Sequence, residues 1–337
     1  MNPSVNRIVN GPVDGFSQRY DTNGNIINAS DGGIIFIDGV YHWYGLQLRP
    51  LPFAPKGEGG QVTDTGVAMY ASRDLVNWEY EGIILECTKD ENSLLRAPMR
   101  FERPKIIYNE KTKKYVLWCH FVGYPGDHGF GDTQAEAGVA VCDTVNGKYE
   151  FLGIRRPIDR KGYVRDASVY KDDDGQAYFI YDRHVTNEFV PVLQPFDRCL
   201  HIVKLNDDYT GFTDEWKRID AADQREAPAI VKKDGWYYMI TSGLTGWAYN
   251  PALYFRSRCL MHGWEKVGDP CVGDDEQTTF RTQSTFIFTT QAGEDILMCE
   301  RHNTENFLHC SYIWFPIRYG NGNTLKIEYA EEFEIRA

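Results

Sequence analysis

The chain has 337 residues, of which 42% are apolar and 25% charged, enough apolar surface to build a full core, so disorder is excluded as its default state. A formal net charge of −12 without any Lys/Arg-rich run excludes a nucleic-acid backbone as the expected partner, because polyphosphate binding needs concentrated cations. No apolar stretch reaches the roughly eighteen residues that span a bilayer, and the first thirty residues lack a basic start followed by an apolar block, so the sequence as written reads as soluble and cytoplasmic, with no membrane partner.

Helical periodicity is almost absent, and short β-rich runs broken by Gly, Asp and Asn recur throughout. Residues 1–30 read as a lead-in that helps to close the fold. A unit then opens at Asp31, runs through 34–37, turns at Asp38-Gly39 and returns through 41–44. The second opens at Glu102, turns around Asn109 and returns through 115–118. The third opens at Asp166, turns at 172–175 and returns through 178–181. The fourth opens at Glu226, turns at 233–235 and returns through 236–239; the fifth opens at Gln283, turns near Gly293 and returns through 296–299.

A third strand follows in each unit, at 66–70, 138–142, 200–205, 252–257 and 312–315, and an aromatic marks a short fourth at Trp78, Tyr149, Trp216, Trp264 and Tyr329. Four strands repeated five times predict an all-β fold over 31–337: a five-bladed β-propeller with four-stranded antiparallel blades around a central axis. The openings are spaced by 71, 64, 60 and 57 residues, longer than the roughly 40 to 50 of common propeller repeats, and the excess falls in loops. The longest, 46–65, is rich in Pro and Gly and is expected to form part of a rim.

The eight cysteines are scattered without a C-x-x-C pair and read as free thiols. Asp172, Asp173 and Asp174 read as a hairpin turn rather than a metal cluster, since Asp and Gly between β-rich runs are the ordinary hairpin signal.

In a propeller the first strand of each blade lines the axis, so Asp31, Glu102, Asp166, Glu226 and Gln283 converge on one funnel. A single polar residue opening a strand is usually solvated, but five in register point to a pocket. Four carboxyl groups around one axis repel, which raises the pKa of the least solvated. A protonated carboxyl facing an ionised one across a bond is the requirement of glycoside hydrolysis. Trp247 is either a platform for a sugar ring or a packed core residue. His120 and His302 lie within reach of the pocket, with no second ligand at metal spacing.

At these residues the sequence resembles glycoside hydrolase family 43, inverting five-bladed propeller enzymes, over residues 28–335. Asp31-Gly32-Gly33-Ile34 resembles the first-blade segment bearing the general-base Asp. Arg165-Asp166-Ala167-Ser168 resembles the third-blade segment, whose Asp tunes and orients the acid. Glu226-Ala227-Pro228-Ala229 resembles the fourth-blade segment with the general-acid Glu. Glu102-Arg103-Pro104-Lys105, Trp118, Gly246-Trp247, Asn250-Pro251, Gln283 and Tyr312-Ile313-Trp314-Phe315-Pro316 resemble the exo-β-1,3-galactanase branch. In that branch the base Asp is missing and the fifth-blade Gln is held to take over its work; here both are present. Ala29-Ser30-Asp31 and Gly45-Leu46-Gln47 depart from the branch's Ala-His-Gly and Gly-Glu-Asp or Gly-Glu-Asn.

The resemblance implies catalytic roles for Glu226, Asp166 and Asp31, and substrate contacts from Glu102, Gln283, Trp247 and His120. It implies an exo-acting inverting hydrolase releasing galactose from β-1,3-galactan or related β-galactosides, with an oligosaccharide or polysaccharide as partner. Its alternatives are the α-L-arabinofuranosidase and β-xylosidase activities of the wider family and a non-catalytic sugar-binding propeller. No metal is required, although a structural calcium ion on the axis, near His302, is compatible with the family.

Overall fold

The computed structural model describes residues 5–49, 62–123, 136–157, 163–184 and 198–337; the stretch 50–61 of the expected rim loop lies outside the described residues. Strand β1 (Val5–Val9) is followed by a first antiparallel sheet of β2 (Ser30–Ile37), β3 (Val40–Gln47), β4 (Gly66–Ser72) and β5 (Glu79–Glu86). The second holds β6 (Arg100–Asn109), β7 (Lys114–Gly123), β8 (Glu136–Cys142) and β9 (Glu150–Arg155). The third holds β10 (Tyr163–Lys171), β11 (Ala177–His184), β12 (Arg198–Leu205) and β13 (Phe212–Asp223). The fourth holds β14 (Arg225–Lys233), β15 (Trp236–Gly243), β16 (Leu253–Ser257) and β17 (Glu265–Gly268). After β18 (Cys271–Val272) come β19 (Gln283–Thr289), β20 (Asp295–Arg301) and β21 (Ser311–Pro316), then β22 (Arg318–Gly320), β23 (Thr324–Glu328) and β24 (Glu332–Arg336).

Local chemistry explains the hairpins. Asp38-Gly39 joins β2 to β3, and Asp234-Gly235 joins β14 to β15, as two-residue loops. All four residues have positive φ, at 50° and 80° and at 48° and 72°, the backbone that matches the twist of a tight antiparallel hairpin. Asp172, Asp173 and Asp174 occupy the β10–β11 turn, where Asp172 accepts from Lys232 Nζ and Tyr237 Oη. The middle strands read as nearly continuous apolar runs because both of their faces are covered, as in β3 with its buried stretch from Tyr41 to Leu46. The outer strands β5 and β17 are largely solvated.

The inner strands β2, β6, β10, β14 and β19 are neighbours in that order, and β19 returns to β2. Hydrophobic clusters fill the spaces between successive sheets: Leu46 and Phe101, Trp118 and Phe179, Ile202 and Met239, Ile240 and Leu297, and Trp43 and Trp314 sit in them in turn. In the last, Trp43 lies 4.8 Å from Tyr312, 5.3 Å from Trp78 and 5.6 Å from Trp314 between ring centroids. The fold is an all-β propeller with four-stranded antiparallel blades.

The sequence repeat leads to five four-stranded sheets, and here the structure differs. Among the described residues four sheets have four strands, while β19, β20 and β21 form a three-stranded one and β18, β23 and β22 a sixth sheet. The aromatic expected to mark a fourth strand, Tyr329, lies between β23 and β24 and packs on Phe280 and Phe315. The hairpin β22–β23 gives its free edge to β18 in parallel pairing instead of extending the sheet of β21. A partner distant in sequence has taken the hydrogen bonds that a local repeat would have used. Trp78, Tyr149 and Trp264 stand one residue before β5, β9 and β17, and Trp216 lies within β13.

The N-terminal segment pairs with the C-terminal one, β1 running antiparallel to β24. Asn10 fastens it further: its Nδ2 donates to Trp314 O at 2.9 Å and to Ala330 O at 3.0 Å, and its Oδ1 accepts from Trp314 N at 3.0 Å. Among the described residues no helix is long and apolar enough to cross a membrane. Replacing Asn10 by Ala leaves buried backbone groups without partners and is expected to lower the unfolding free energy by roughly 1–3 kcal/mol in urea titrations. Arg7→Ala, which removes only an exposed ion pair with Glu332, is expected to change it by less than about 1 kcal/mol in the same assay.

Candidate active site

All five strand-opening polar residues lie at the starts of the inner strands: Asp31 on β2, Glu102 on β6, Asp166 on β10, Glu226 on β14 and Gln283 on β19. In every one of these hairpins the register shifts at the same level, between Ser30 and Gly33, Glu102 and Lys105, Val164 and Ala167, Glu226 and Ala229, and Ser284 and Phe286. A bulge bends its strand and re-aims the side chains beside it. Asp31 (φ 56°), Arg103 (φ 52°) and Ala227 (φ 55°) take left-handed backbone at these points. Polar side chains therefore converge at one end of the axis, while the remainder of each strand packs into the cores between sheets.

Arg103 links the group. Its Nε lies 2.9 Å from Asp166 Oδ2, and its Nη2 donates to Gln283 Oε1 at 2.7 Å. Gln283 Nε2 in turn donates to Ser242 Oγ at 3.1 Å and to Glu226 Oε1 at 3.4 Å. The other oxygen of Glu226, Oε2, accepts from Arg198 Nη2 at 3.1 Å, and the same Nη2 donates to Asp182 Oδ2. Glu102 accepts from Arg100 Nε at 3.2 Å and faces His120 Nδ1 at 3.2 Å. Asp31 is held through its backbone: its N–H donates to Glu300 Oε2 at 2.9 Å, and its carbonyl accepts from Lys105 Nζ at 2.7 Å.

The environments divide these carboxyl groups. Burial, then the charge of Asp166, pushes Glu226 up to about 8. Burial likewise raises Asp31, with Asp166 and Glu102 adding to it against the pull of Arg103 and Lys105. Glu102, although buried, is held well below the usual carboxylate range by Arg100 and His120. Glu300 is raised to about 7 by burial and by Asp31, and burial lowers His302 to about 3, leaving a neutral imidazole. A proton donor at neutral pH and a carboxylate that stays ionised thus occur in one cluster.

Trp247, on the loop after β15, is half-buried and stacks edge-on against His302 and Phe307 at 4.6 and 5.2 Å. His120 is 2% exposed and stands behind Glu102. Two triads offer ligand atoms within 4.8 Å of one another: Asp31, Glu300 and His302, and Glu102, His120 and Asp166. In the first, Asp31 Oδ1 and His302 Nε2 are buried without a hydrogen-bond partner. Two carboxyl groups and a neutral imidazole fit a divalent cation, which would act there by neutralising buried charge. A cavity of about 680 Å³ opens at the opposite ends of the inner strands beside Lys171 and Lys232, whose ammonium groups are already engaged by Glu110 and by Asp172 and Asp173.

Asp182, Arg198 and Glu300 belong to the cluster but sit on second and third strands, outside the opening positions that the repeat marks. Their signal in the sequence is slight: charged residues at the ends of otherwise apolar runs, as in Leu297-Met298-Cys299-Glu300-Arg301.

Residues 57–313 match the family described as glycosyl hydrolases family 43. The chain belongs to this family. It is a glycoside hydrolase, and its relatives narrow the comparison. A family 43 β-1,3-galactosidase solved with galactodeoxynojirimycin is 31% identical, with 96% of this chain and 99% of that one covered and a TM-score of 0.83. An exo-β-1,3-galactanase from Clostridium thermocellum is 31% identical, with 98% and 67% covered and a TM-score of 0.78. An exo-β-1,3-galactanase from Phanerochaete chrysosporium solved with β-1,3-galactotriose is 27% identical, with 98% and 68% covered and a TM-score of 0.81. Among curated proteins, a xylan 1,3-β-xylosidase from a Vibrio species is 26% identical over 192 residues, 52% of this chain and 31% of its own length, so the match spans about a third of that relative.

Removing the guanidinium at the centre of this family 43 site strands Asp166 and the Gln283 amide. Arg103→Met is expected to cost about 3–5 kcal/mol of stability in chemical denaturation, the usual consequence of leaving a buried charge without its partner.

Proposed function

We propose that this family 43 hydrolase is an exo-acting, inverting enzyme that releases galactose from β-1,3-galactan or related β-galactosides. The observation that carries the mechanism is the placement of Glu226, buried, in contact with Gln283 and Arg198 and in the field of Asp166, where burial and that charge push its pKa up to about 8. The substrate class rests on the galactose-directed relatives, which match across nearly all of this chain. The fold is read as five-bladed, with β18, β22 and β23 an appendage to the fifth blade and residues 1–30 a strap that closes the ring.

In this reading Glu226 gives its proton to the glycosidic oxygen as the C1–O bond breaks. Water attacks C1 from the opposite face, and the anomeric centre inverts. Asp166 keeps Glu226 protonated and, with Arg103, fixes its direction. Glu102, ionised and braced by Arg100 and His120, accepts hydrogen bonds from sugar hydroxyl groups. His120 acts through Glu102, and Trp247 offers an apolar edge to the ring. The reaction so written uses side chains alone.

Asp31 takes the proton of the attacking water, since a carboxylate is a far better proton acceptor than an amide. A second reading has Gln283 orient the water, and the burial that raises the pKa of Asp31 favours it. Loss of a general base costs roughly 10²- to 10⁴-fold in turnover, so Asp31→Asn with near-normal kcat supports Gln283 and a loss of that size supports Asp31.

Proton NMR of the first products from a β-1,3-galacto-oligosaccharide is expected to show α-galactose before mutarotation, with Glu226→Gln inactive. Arabino- and xylo-oligosaccharides run in parallel are expected to stay intact. β-Galactose appearing first would overturn inversion, and pentose release would overturn the substrate class. Because Glu226 must be protonated, kcat/KM is expected to fall as pH rises through about 8, and because Asp31 must be ionised it is expected to fall again in acid, below the raised pKa of that carboxyl.

A further inference from the structure

We infer that Asp182 is a positioning residue for the reaction: it holds Arg198 by a shared guanidinium nitrogen, so that Glu226 can stay neutral before the bond breaks and be met by that same guanidinium afterwards. The inference rests on the reading of Glu226 as the proton donor. Its geometric basis is a single atom. Arg198 Nη2 donates both to Asp182 Oδ2 and, at 3.1 Å, to Glu226 Oε2.

Asp182 has no exposed surface, and its other oxygen, Oδ1, is buried without a hydrogen-bond partner. A fully buried carboxylate is costly unless it is paired, and Arg198 is the ion-pair partner it has among the described residues. Asp182 reaches Arg198 from the second strand of the third sheet, β11, and Arg198 begins the third, β12. Carboxyl groups from β11 and β14 therefore meet at one nitrogen of the guanidinium that begins β12.

The charges around Glu226 show what the arrangement does. Asp166 from β10 and Asp182 from β11 favour its neutral form; Arg198 from β12, Arg103 from β6 and the adjacent Arg225 on β14 favour the carboxylate. Gln283 from β19 contributes an uncharged amide. Alone, a guanidinium 3.1 Å from Glu226 Oε2 would strip its proton at neutral pH. With Asp182 as its counter-charge, Arg198 is already compensated and leaves Glu226 protonated. Burial holds Asp182 near 6 and Glu226 near 8, so between these values Asp182 is ionised while Glu226 is not. When Glu226 passes its proton to the leaving oxygen, the new carboxylate is already in contact with Arg198 Nη2, without movement of either side chain. Water reloads the proton after product departs.

The test reads Glu226 directly. Carbon-13 NMR of protein labelled at the glutamate carboxyl carbons, with the Glu226 signal assigned by its loss in Glu226→Gln, gives its titration without any substrate. In Asp182→Asn the midpoint of Glu226 is expected to fall by at least about one pH unit, and in Arg198→Gln to rise by a similar amount. The double variant is expected to return towards the parent value. The basic limb of kcat/KM on β-1,3-galactobiose should move with the NMR midpoint. A 2,4-dinitrophenyl β-galactoside, whose leaving group needs no proton, should lose less activity in Asp182→Asn than galactobiose does. A folded Asp182→Asn with an unmoved Glu226 midpoint overturns the inference. If that variant does not fold, an unmoved midpoint in Arg198→Gln overturns it equally. Should Glu226→Gln hydrolyse galactobiose at the parent rate, the proton-donor reading itself falls, and the NMR shifts would then stand as electrostatics without a catalytic role.

Discussion

A buried guanidinium makes the rest of this site possible. Arg103 sits at 3% exposure among Asp166, Gln283 and the carbonyl of Ser284, and the charges of Asp31 and Glu226 also raise its pKa. Four carboxyl groups drawn to one end of a propeller axis would repel one another and open the ring from within. Arg103 converts that repulsion into cohesion, because it reaches from the second sheet to the third and the fifth and binds first strands that share no backbone hydrogen bonds. Arg100 and Arg198 do the same work locally for Glu102 and Glu226. Electrostatics therefore hold the top of the axis together where the hydrophobic clusters between sheets cannot reach.

The backbone contributes an equally general device. A regular strand alternates its side chains between two faces, and both faces of an inner strand are claimed by cores. To send a side chain along the axis the alternation must be broken, and a register shift does this in each of the five inner hairpins at the same height. Gly32 shows how tight the result is: a Cβ there would fall 1.6 Å from the carbonyl oxygen of Tyr44. The glycine is required by the close approach of the second strand, and the residues on either side of it are aimed by that approach. Pocket and fold are set by the same irregularity.

Much of this was legible in the sequence because it is local. Asp-Gly turns, aromatic return strands and a polar residue at each opening recur along the chain, and they led to the propeller and to the five side chains that the structure gathers. The bulges were not legible, since a shift of one residue leaves hydrophobic patterning almost unchanged. Nor was the sixth sheet, which depends on parallel pairing of Cys271 and Val272 with Ile327 and Glu328 across more than fifty positions. Asp182, Arg198 and Glu300 escaped notice for a different reason. A buried charge has no periodicity of its own, and only the partner it meets in three dimensions distinguishes it from a solvated one.

Asp31 lies in one of the two segments, with Gly45-Leu46-Gln47 the other, where this chain departs from the galactanase branch that it resembles, and its surroundings give that departure a physical meaning. Its φ of 56° is the backbone that glycine adopts at no cost and that an aspartate adopts at about 1 kcal/mol. The conformation is imposed from outside: Glu300 takes the amide of Asp31 and the hydroxyl of Ser30, Lys105 takes the carbonyl, and Tyr312 Oη holds the amide of Ala29. A glycine in this position would keep every one of those bonds, so the segment does not need the aspartate to hold its shape. What the side chain adds is a carboxyl group in a buried place, strained in its backbone and raised in its pKa, both of which oppose folding. A group that costs stability and leaves the shape of its segment unchanged alters the charge balance of the pocket instead, adding a buried carboxyl to the field of Arg103, Asp166, Glu102 and Lys105 where a glycine would add none.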